Sequence, residues 1–135
     1  MAEHIDPTQT DTVHITRWQR LDPPAEGKAV TFTYIEKIDV DYELPEHAYE
    51  GFLIRFNGNL HAYRNSCPHM GSPLDWLPGR FFSEEGNQLV CHTHDARFNP
   101  ADGACISGPC PNGLSELPLR SDGHTVEVPS ALNER

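Results

Sequence analysis

Cys67-Pro68-His69 and Cys91-His92-Thr93-His94 are the two stretches on which the reading of this chain turns. Each places a thiol and an imidazole within a few residues of one another, and residues 70–90 separate them. Soft thiolates combined with borderline imidazoles suit iron or zinc. Pro68, Gly71, Ser72 and Pro73 mark the first stretch as loop, while Gln88-Leu89-Val90 leads into the second as a strand-like run. Two such loops at hairpin tips, facing each other, clasp one compact ion or cluster.

Working outward, Val30-Thr31-Phe32-Thr33-Tyr34-Ile35 and Gly51-Phe52-Leu53-Ile54-Arg55-Phe56 are rich in β-branched and aromatic residues and predict strands. Asn57-Gly58-Asn59 sits between Phe52–Phe56 and the apolar run Leu60–Tyr63. Asn and Gly tolerate positive φ, so this is a hairpin signal, and it delivers the chain directly to Cys67. Near the end, Leu117-Pro118-Leu119-Arg120, Ser121-Asp122-Gly123 and His124–Val128 repeat the strand, turn, strand pattern. The stretch through Pro24 reads as a loosely packed first edge whose beginning, 1–17, is flexible. Pro45–Glu50 has room for one helical turn, but no long 3.6-residue periodicity competes with the strands. With 12 Pro and 10 Gly punctuating short strands, the expectation is an all-β chain.

At 135 residues the chain supports one domain, large enough to bury a core without disulfides. A metal site is therefore an addition to the fold rather than its only staple. The formal charge of −10, with 20 acidic against 10 basic residues, disfavours nucleic acid as a partner. No apolar stretch reaches the roughly 20 residues of a membrane span, and Met1-Ala2-Glu3-His4-Ile5-Asp6 lacks the basic-then-apolar order of a signal peptide. The expected location is the cytoplasm, with no membrane contact. There, cysteines serve as ligands or thiols more often than as a disulfide framework.

The order Cys-x-His, gap, Cys-x-x-His resembles the Rieske proteins, in which one iron of a [2Fe-2S] cluster takes two Cys and the other takes two His. The likeness runs over roughly residues 60–120. It includes Met70-Gly71-Ser72-Pro73-Leu74-Asp75-Trp76 after the first His, then Ala96-Arg97-Phe98-Asn99, Asp102-Gly103 and Gly108-Pro109 after the second, the last similar to the proline loop that covers a Rieske cluster. The resemblance implies Cys67 and Cys91 as thiolate ligands of the inner iron and His69 and His94 as ligands of the outer one. It implies a Rieske-like antiparallel β-sandwich base, about 18–64 and 108–128, with a small cluster-binding subdomain inserted at about 65–107. Neutral imidazoles in place of two thiolates remove two negative charges from the oxidised centre. The potential consequently lies between about −150 and +300 mV, against about −400 mV for plant-type ferredoxins.

This chain departs from the family at several positions. Asp95 follows the second His where Gly is usual; Asp visits positive φ more readily than most residues, but a carboxylate there disfavours reduction. The gap between the clusters is long, and the surplus is expected as a surface loop over Trp76–Asn87. Ser72 and Thr93 stand where high-potential members carry an inter-loop disulfide, and Ala96 and Phe98 stand where they place Ser and Tyr donors. All of this implies the low end of the potential range, as in ferredoxins and oxygenase domains.

Several residues carry milder readings. His92 is expected to be exposed, the family spacing selecting His94. Cys105 and Cys110 have three fates open: thiols, the default, a local disulfide, or ligation. His4, His14, His47, His61 and His124 have no spaced partner, and Glu84-Glu85 with the run Asp39, Asp41, Glu43 and Glu46 read as solvated faces that suit a basic redox partner. The function implied is a one-electron carrier, not an enzyme, taking electrons from a flavoprotein reductase to an oxygenase or other redox enzyme. The rivals are a small Rieske subunit of a larger oxidoreductase such as a nitrite reductase, a structural zinc module, and a redox or iron sensor.

Overall fold

The computed structural model describes residues 13–38, 47–68, 71–75, 77–122 and 124–134. Ten strands follow one another: β1 (Val13–Leu21), β2 (Ala29–Ile38), β3 (His47–Phe56), β4 (Asn59–Arg64), β5 (Leu89–Cys91), β6 (Ala96–Phe98), β7 (Cys105–Ser107), β8 (Glu116–Leu117), β9 (Arg120–Ser121) and β10 (Val126–Glu134). The expected all-β architecture holds among these residues. One sheet runs β1-β10-β2-β3-β4-β8, with β9 paired to β10, and a second, small sheet runs β5-β6-β7. The large sheet is antiparallel except where β10 lies parallel to β2. No hairpin constrains that pair, because the two strands come from opposite ends of the chain.

The hairpin signal at Asn57-Gly58 is realised as β3–β4. Phe56 pairs with Asn59 across the turn, and Asn57 and Gly58 adopt φ of 53° and 80°. Both central residues are thus left-handed, the turn whose twist matches the strands. Glu26 caps it, its carboxylate accepting from Asn57 N at 2.7 Å and Gly58 N at 2.9 Å. The expected helical turn at Pro45–Glu50 is not formed where the chain is described: residues 47–50 are strand, with Tyr49 opposite Tyr34 and Glu50 opposite Thr33. Aromatic and β-branched cross-strand neighbours outweigh the local helical preference.

Two apolar clusters divide the interior, and β3 separates them. Phe52 and Ile54 point into one with Tyr63, Leu74, Phe81, Leu89 and Phe98. Leu53 points into the other with Phe32, Tyr34, Ala62, Val126, Val128 and Leu132. Alternation along a strand sends successive side chains to opposite faces, so the unbroken run Phe52-Leu53-Ile54 marks a strand covered on both sides. One side is the interior of the base, and the other receives the small sheet and the loops that carry the ligand candidates.

The Trp76–Asn87 stretch is the expected surface loop only in part: Leu77–Arg80, Glu84, Glu85 and Asn87 are exposed, but its aromatics turn inward. Phe81 is fully buried and stacks on Phe52 with ring centroids 4.1 Å apart. Phe82 bridges to Leu89, and Val90 N donates to Phe81 O at 2.9 Å. The burial of Phe81 and the partial burial of Phe82 outweigh solvating this part of the stretch.

Candidate metal centre

Cys67 leaves the end of β4 and begins the first ligand loop. Its N–H donates to Ser72 O at 2.7 Å and its carbonyl accepts from Gly71 N at 2.6 Å, so the loop curls tightly behind the thiol. Asn65, the one polar side chain among the buried described residues, closes this loop. Its Oδ1 accepts from Leu74 N at 2.8 Å, and its Nδ2 donates to Asp75 Oδ1 at 2.9 Å and to Glu50 Oε1 at 2.6 Å. A buried amide satisfied on both ends joins the two feet of the loop to each other and to β3. Nothing in the sequence analysis singled out Asn65. Its position two residues before the first ligand candidate was the available signal.

The second loop is the turn between β5 and β6. Cys91 pairs with Ala96, and Asp95 N donates to Cys91 O at 2.8 Å. Asp95 holds φ of 60°, the left-handed conformation for which Gly is usual and which Asp tolerates. Its carboxylate faces Arg97, with Nη2 at 3.3 Å from Oδ1, and Arg97 also reaches Gln88 Oε1 at 3.2 Å. The negative charge that Asp95 adds here is therefore partly offset by Arg97, weakly because the pair is exposed.

Cys67 and Cys91 are 2% and 1% exposed and lie in the same apolar cluster, walled by Leu74, Phe81, Leu89, Ala96 and Phe98. Neither belongs to a disulfide. His94 is exposed on the turn beside them, and His69 lies outside the described residues. Among the described residues no three metal-ligating side chains converge, so the structure brings together the two thiols but does not itself assemble four ligands. His92, as expected, is exposed. It links the loops instead: its backbone N and its ring Nδ1 each lie 3.2 Å from Leu74 O. Ala96 and Phe98 contribute carbon alone to the wall where a hydroxyl would otherwise stand.

Tyr63 ties the small sheet to the base, its hydroxyl donating to Pro100 O at 2.7 Å. Burial, then the nearby carboxylates of Glu116 and Asp102, push its pKa well above the usual phenol range, so it stays a donor.

Cys105 and Cys110 correct the default expectation of thiols: they form a disulfide, with Cα atoms 6.0 Å apart. Gly108, at φ of 88°, reverses the chain after β7 and brings the two Cβ atoms within bridging reach. The Gly108-Pro109 loop lies against the turn between β5 and β6. A Cβ on Gly108 would lie 2.8 Å from Ala96 Cα and 3.1 Å from Asp95 O, so this loop sits directly on the second ligand turn. Of the lone histidines, His14, His47 and His124 are exposed, as are Glu84 and Glu85; His4 and the Asp39–Glu46 run lie outside the described residues.

The donor chemistry fits a binuclear iron–sulfur group: two buried thiols suit an inner iron, and an exposed imidazole at the same tip suits an outer one. These features define an all-β protein with a two-loop site for an iron–sulfur centre. The model of the Rieske [2Fe-2S] domain matches residues 17–118, and the chain belongs to that family, whose cofactor is the Rieske-type [2Fe-2S] cluster.

Two relatives add to this. The ferredoxin component of the alkene monooxygenase system of Xanthobacter autotrophicus is 31% identical over 87 residues, 64% of this chain and 66% of that protein. A putative respiratory nitrate reductase Rieske subunit of Haloferax mediterranei is 34% identical over 68 residues, 48% of this chain but 28% of that protein. In fold, the chain is similar to the ferredoxin of carbazole 1,9a-dioxygenase from Nocardioides aromaticivorans, with a TM-score of 0.55 and 23% identity over 82% of this chain and 96% of that one. It is also similar to the terminal oxygenase of carbazole 1,9a-dioxygenase from Novosphingobium sp. KA1, with a TM-score of 0.63 and 16% identity over 87% of this chain and 30% of that one. Among the described residues no helix is long and apolar enough to cross a membrane.

Proposed function

We propose that this chain is a one-electron carrier, a ferredoxin rather than an enzyme, that accepts electrons from a flavoprotein reductase and delivers them to an oxygenase or another redox enzyme. Cys67 and Cys91 hold the cluster as thiolates, and His69 and His94 hold it through ring nitrogens. When bound, the cluster supplies reversible one-electron chemistry at a potential that its imidazole ligands raise above that of all-Cys centres. The rest is the work of the chain. Leu74, Phe81, Leu89 and Phe98 keep water from the thiolates, the Asn65 network and the β5–β6 turn set the loops, and His94 brings the site edge to the surface where a partner docks. The chain acts as a single domain whose cluster-binding part spans about 65–107, and it works in the cytoplasm.

The observation that carries this reading is the pair of buried, disulfide-free cysteines in one apolar cluster, with His94 exposed on the turn that follows Cys91. Beside it stand relatives named as ferredoxin components of oxygenase systems. Low-temperature EPR of anaerobically purified protein, before and after dithionite, with iron, sulfide and zinc quantified, tests it. The expected result is a rhombic signal on reduction, with an average g below that of all-Cys [2Fe-2S] centres and two irons per chain, lost in His69→Ala and His94→Ala. Stoichiometric zinc with a silent spectrum, or a His variant that keeps both signal and transfer, overturns it.

The similarity to a nitrate reductase Rieske subunit favours a second reading, a small subunit of a larger oxidoreductase. Stable co-purification with a large chain distinguishes it from a diffusing carrier.

A further inference from the structure

Cys105 and Cys110 have no part in the ligand set, yet they sit on the loop that covers it. They close a ring with a sequence separation of 5, and Ile106, Ser107, Gly108 and Pro109 within that ring are all exposed, Ile106 by 49%. Both cysteines pack, half-buried, against the apolar cluster that contains Cys67 and Cys91. We infer that the Cys105–Cys110 disulfide is a thiol-exchange site, opened by a dithiol reductant, and that it latches the covering loop onto the second ligand turn.

Backbone bonding leaves this loop otherwise loosely attached. Pairing of β6 with β7 runs from Phe98↔Cys105 to Arg97↔Ser107 and is irregular between them. Beyond Ser107, the backbone bond from residues 108–113 among the described residues is internal, Cys110 N to Gly108 O at 2.9 Å. The chain returns to the body at Leu114 N, which donates to Gly103 O at 2.8 Å. Between those points the disulfide is the covalent tether that keeps Gly108 against Ala96 and Asp95. The open state is also accommodated: Cys110 Sγ lies 3.2 Å from Ser107 O, an acceptor ready for a thiol proton.

The exchange balances. A thiolate of the dithiol attacks one sulfur of the bond, forming a mixed disulfide and releasing the other cysteine as a thiolate. The second thiol of the reductant then displaces the first cysteine. Two electrons and two protons pass to Cys105 and Cys110, and the reductant leaves as its own disulfide. Disulfides that a thiolate can approach are the labile ones; here the cysteines are half-buried but the ring residues 106–109 are exposed, and in a reducing compartment a disulfide is more often a transient, redox-sensing bond than a staple. Opening returns the freedom that the short ring removed, which by loop-closure entropy shifts the local open–closed balance by roughly tenfold or more. The consequence for the ligand site rests on the carrier reading above; the existence of the exchangeable bond does not.

The test uses anaerobically purified holoprotein with and without dithiothreitol, then N-ethylmaleimide and peptide mass spectrometry. Hydrogen exchange at 95–97 and 107–110 and iron release to a ferrous chelator are followed in parallel. The expected result is one maleimide each on Cys105 and Cys110, none on Cys67 or Cys91, and a roughly tenfold rise in both exchange at Ala96 and iron release. The double variant Cys105→Ser/Cys110→Ser should match the dithiol-treated protein and respond no further. Absence of labelling overturns the exchange site, and labelling with unchanged hydrogen exchange at Ala96 overturns the latch. Should the double variant not fold, the dithiol response of the wild type decides alone. Labelling of Cys67 and Cys91 in untreated protein refutes the carrier reading instead, while the Ala96 response still decides the latch.

Discussion

The two candidate ligand loops present similar residues by different means. The second is a local device: β5 and β6 pair on either side, Asp95 supplies the left-handed residue, and one backbone bond from Asp95 N to Cys91 O closes it. The first has no flanking ladder of its own. Cys67 is set by the tight curl through Gly71 and Ser72, and the loop is closed at its feet by a buried amide, Asn65, that also reaches Glu50 on β3. One loop thus inherits its shape from a hairpin, and the other from a side-chain network that spans the base. A hairpin tolerates change at its tip, whereas a buried network with every member satisfied loses most when one partner is removed.

The largest effect should fall on what the two loops share. Phe81, fully buried between them and stacked on Phe52, supports the wall common to both thiols. Phe81→Ala should cost about 3–5 kcal/mol, read as a lowered urea midpoint with an unchanged slope. A loss below about 1 kcal/mol would mean that this segment is as dispensable as a surface loop.

Asn65→Leu separates the loops. It leaves Leu74 N–H without its acceptor in a buried site and should cost about 2–3 kcal/mol. Hydrogen exchange should rise at 71–75 and at His92, whose N–H bonds Leu74 O, and stay unchanged at 95–97. Equal loosening of both loops would refute their independence.

Asp95 tests the hairpin. Asp95→Val forces a β-branched residue to positive φ and should cost about 1–2 kcal/mol, while Asp95→Gly should change thermal stability by less than about 1 kcal/mol. Comparable losses in the two variants would show that the Arg97 pair, rather than the backbone conformation, holds the turn.

The smallest effect lies away from the site, in the turn that joins β9 to β10. Asp122 accepts from Thr125 N, His124 N and the Thr125 hydroxyl. These bonds, led by the one from Thr125 N, hold its carboxyl below the usual range. A carboxyl depressed in the folded state adds stability that is complete above the ordinary carboxylate pKa and disappears as pH falls through the lowered value. Asp122→Ala should therefore lower stability slightly at neutral pH, where the charged carboxylate keeps its bonds, and leave it nearly unchanged at pH below the depressed value, so that stability varies less with pH on the acid side. A loss at acid pH as large as the neutral one would remove the charge from the explanation.

Much of the second loop was legible along the chain because each part of it is local. The apolar run Leu89-Val90 marks β5, a residue tolerant of positive φ follows His94, and a Gly-Pro stretch lies downstream. The Asn57-Gly58 hairpin was legible for the same reason. The Asn65 network was not, since its partners Glu50, Leu74 and Asp75 lie on three segments and no spacing rule joins them. The buried face of the Trp76–Asn87 stretch was hidden as well. Its polar and Gly-rich surroundings read as loop, and only the arrival of Phe52 from β3 gives Phe81 a reason to turn inward. The Cys105–Cys110 bond belongs with these: a short spacing allows a disulfide but does not require one, and the reversal at Gly108 brings the thiols together.

By itself the sequence determined the all-β class, the hairpin that leads to Cys67, and the pairing of thiol with imidazole that marks the family, because these depend on near neighbours and side-chain chemistry. Tertiary structure alone decided that Cys67 and Cys91 lie buried in one apolar cluster with Phe81, that Asn65 closes the first loop, and that a disulfide-closed loop packs against the second. Each of these depends on surfaces from distant segments excluding water together, a condition that no local pattern encodes.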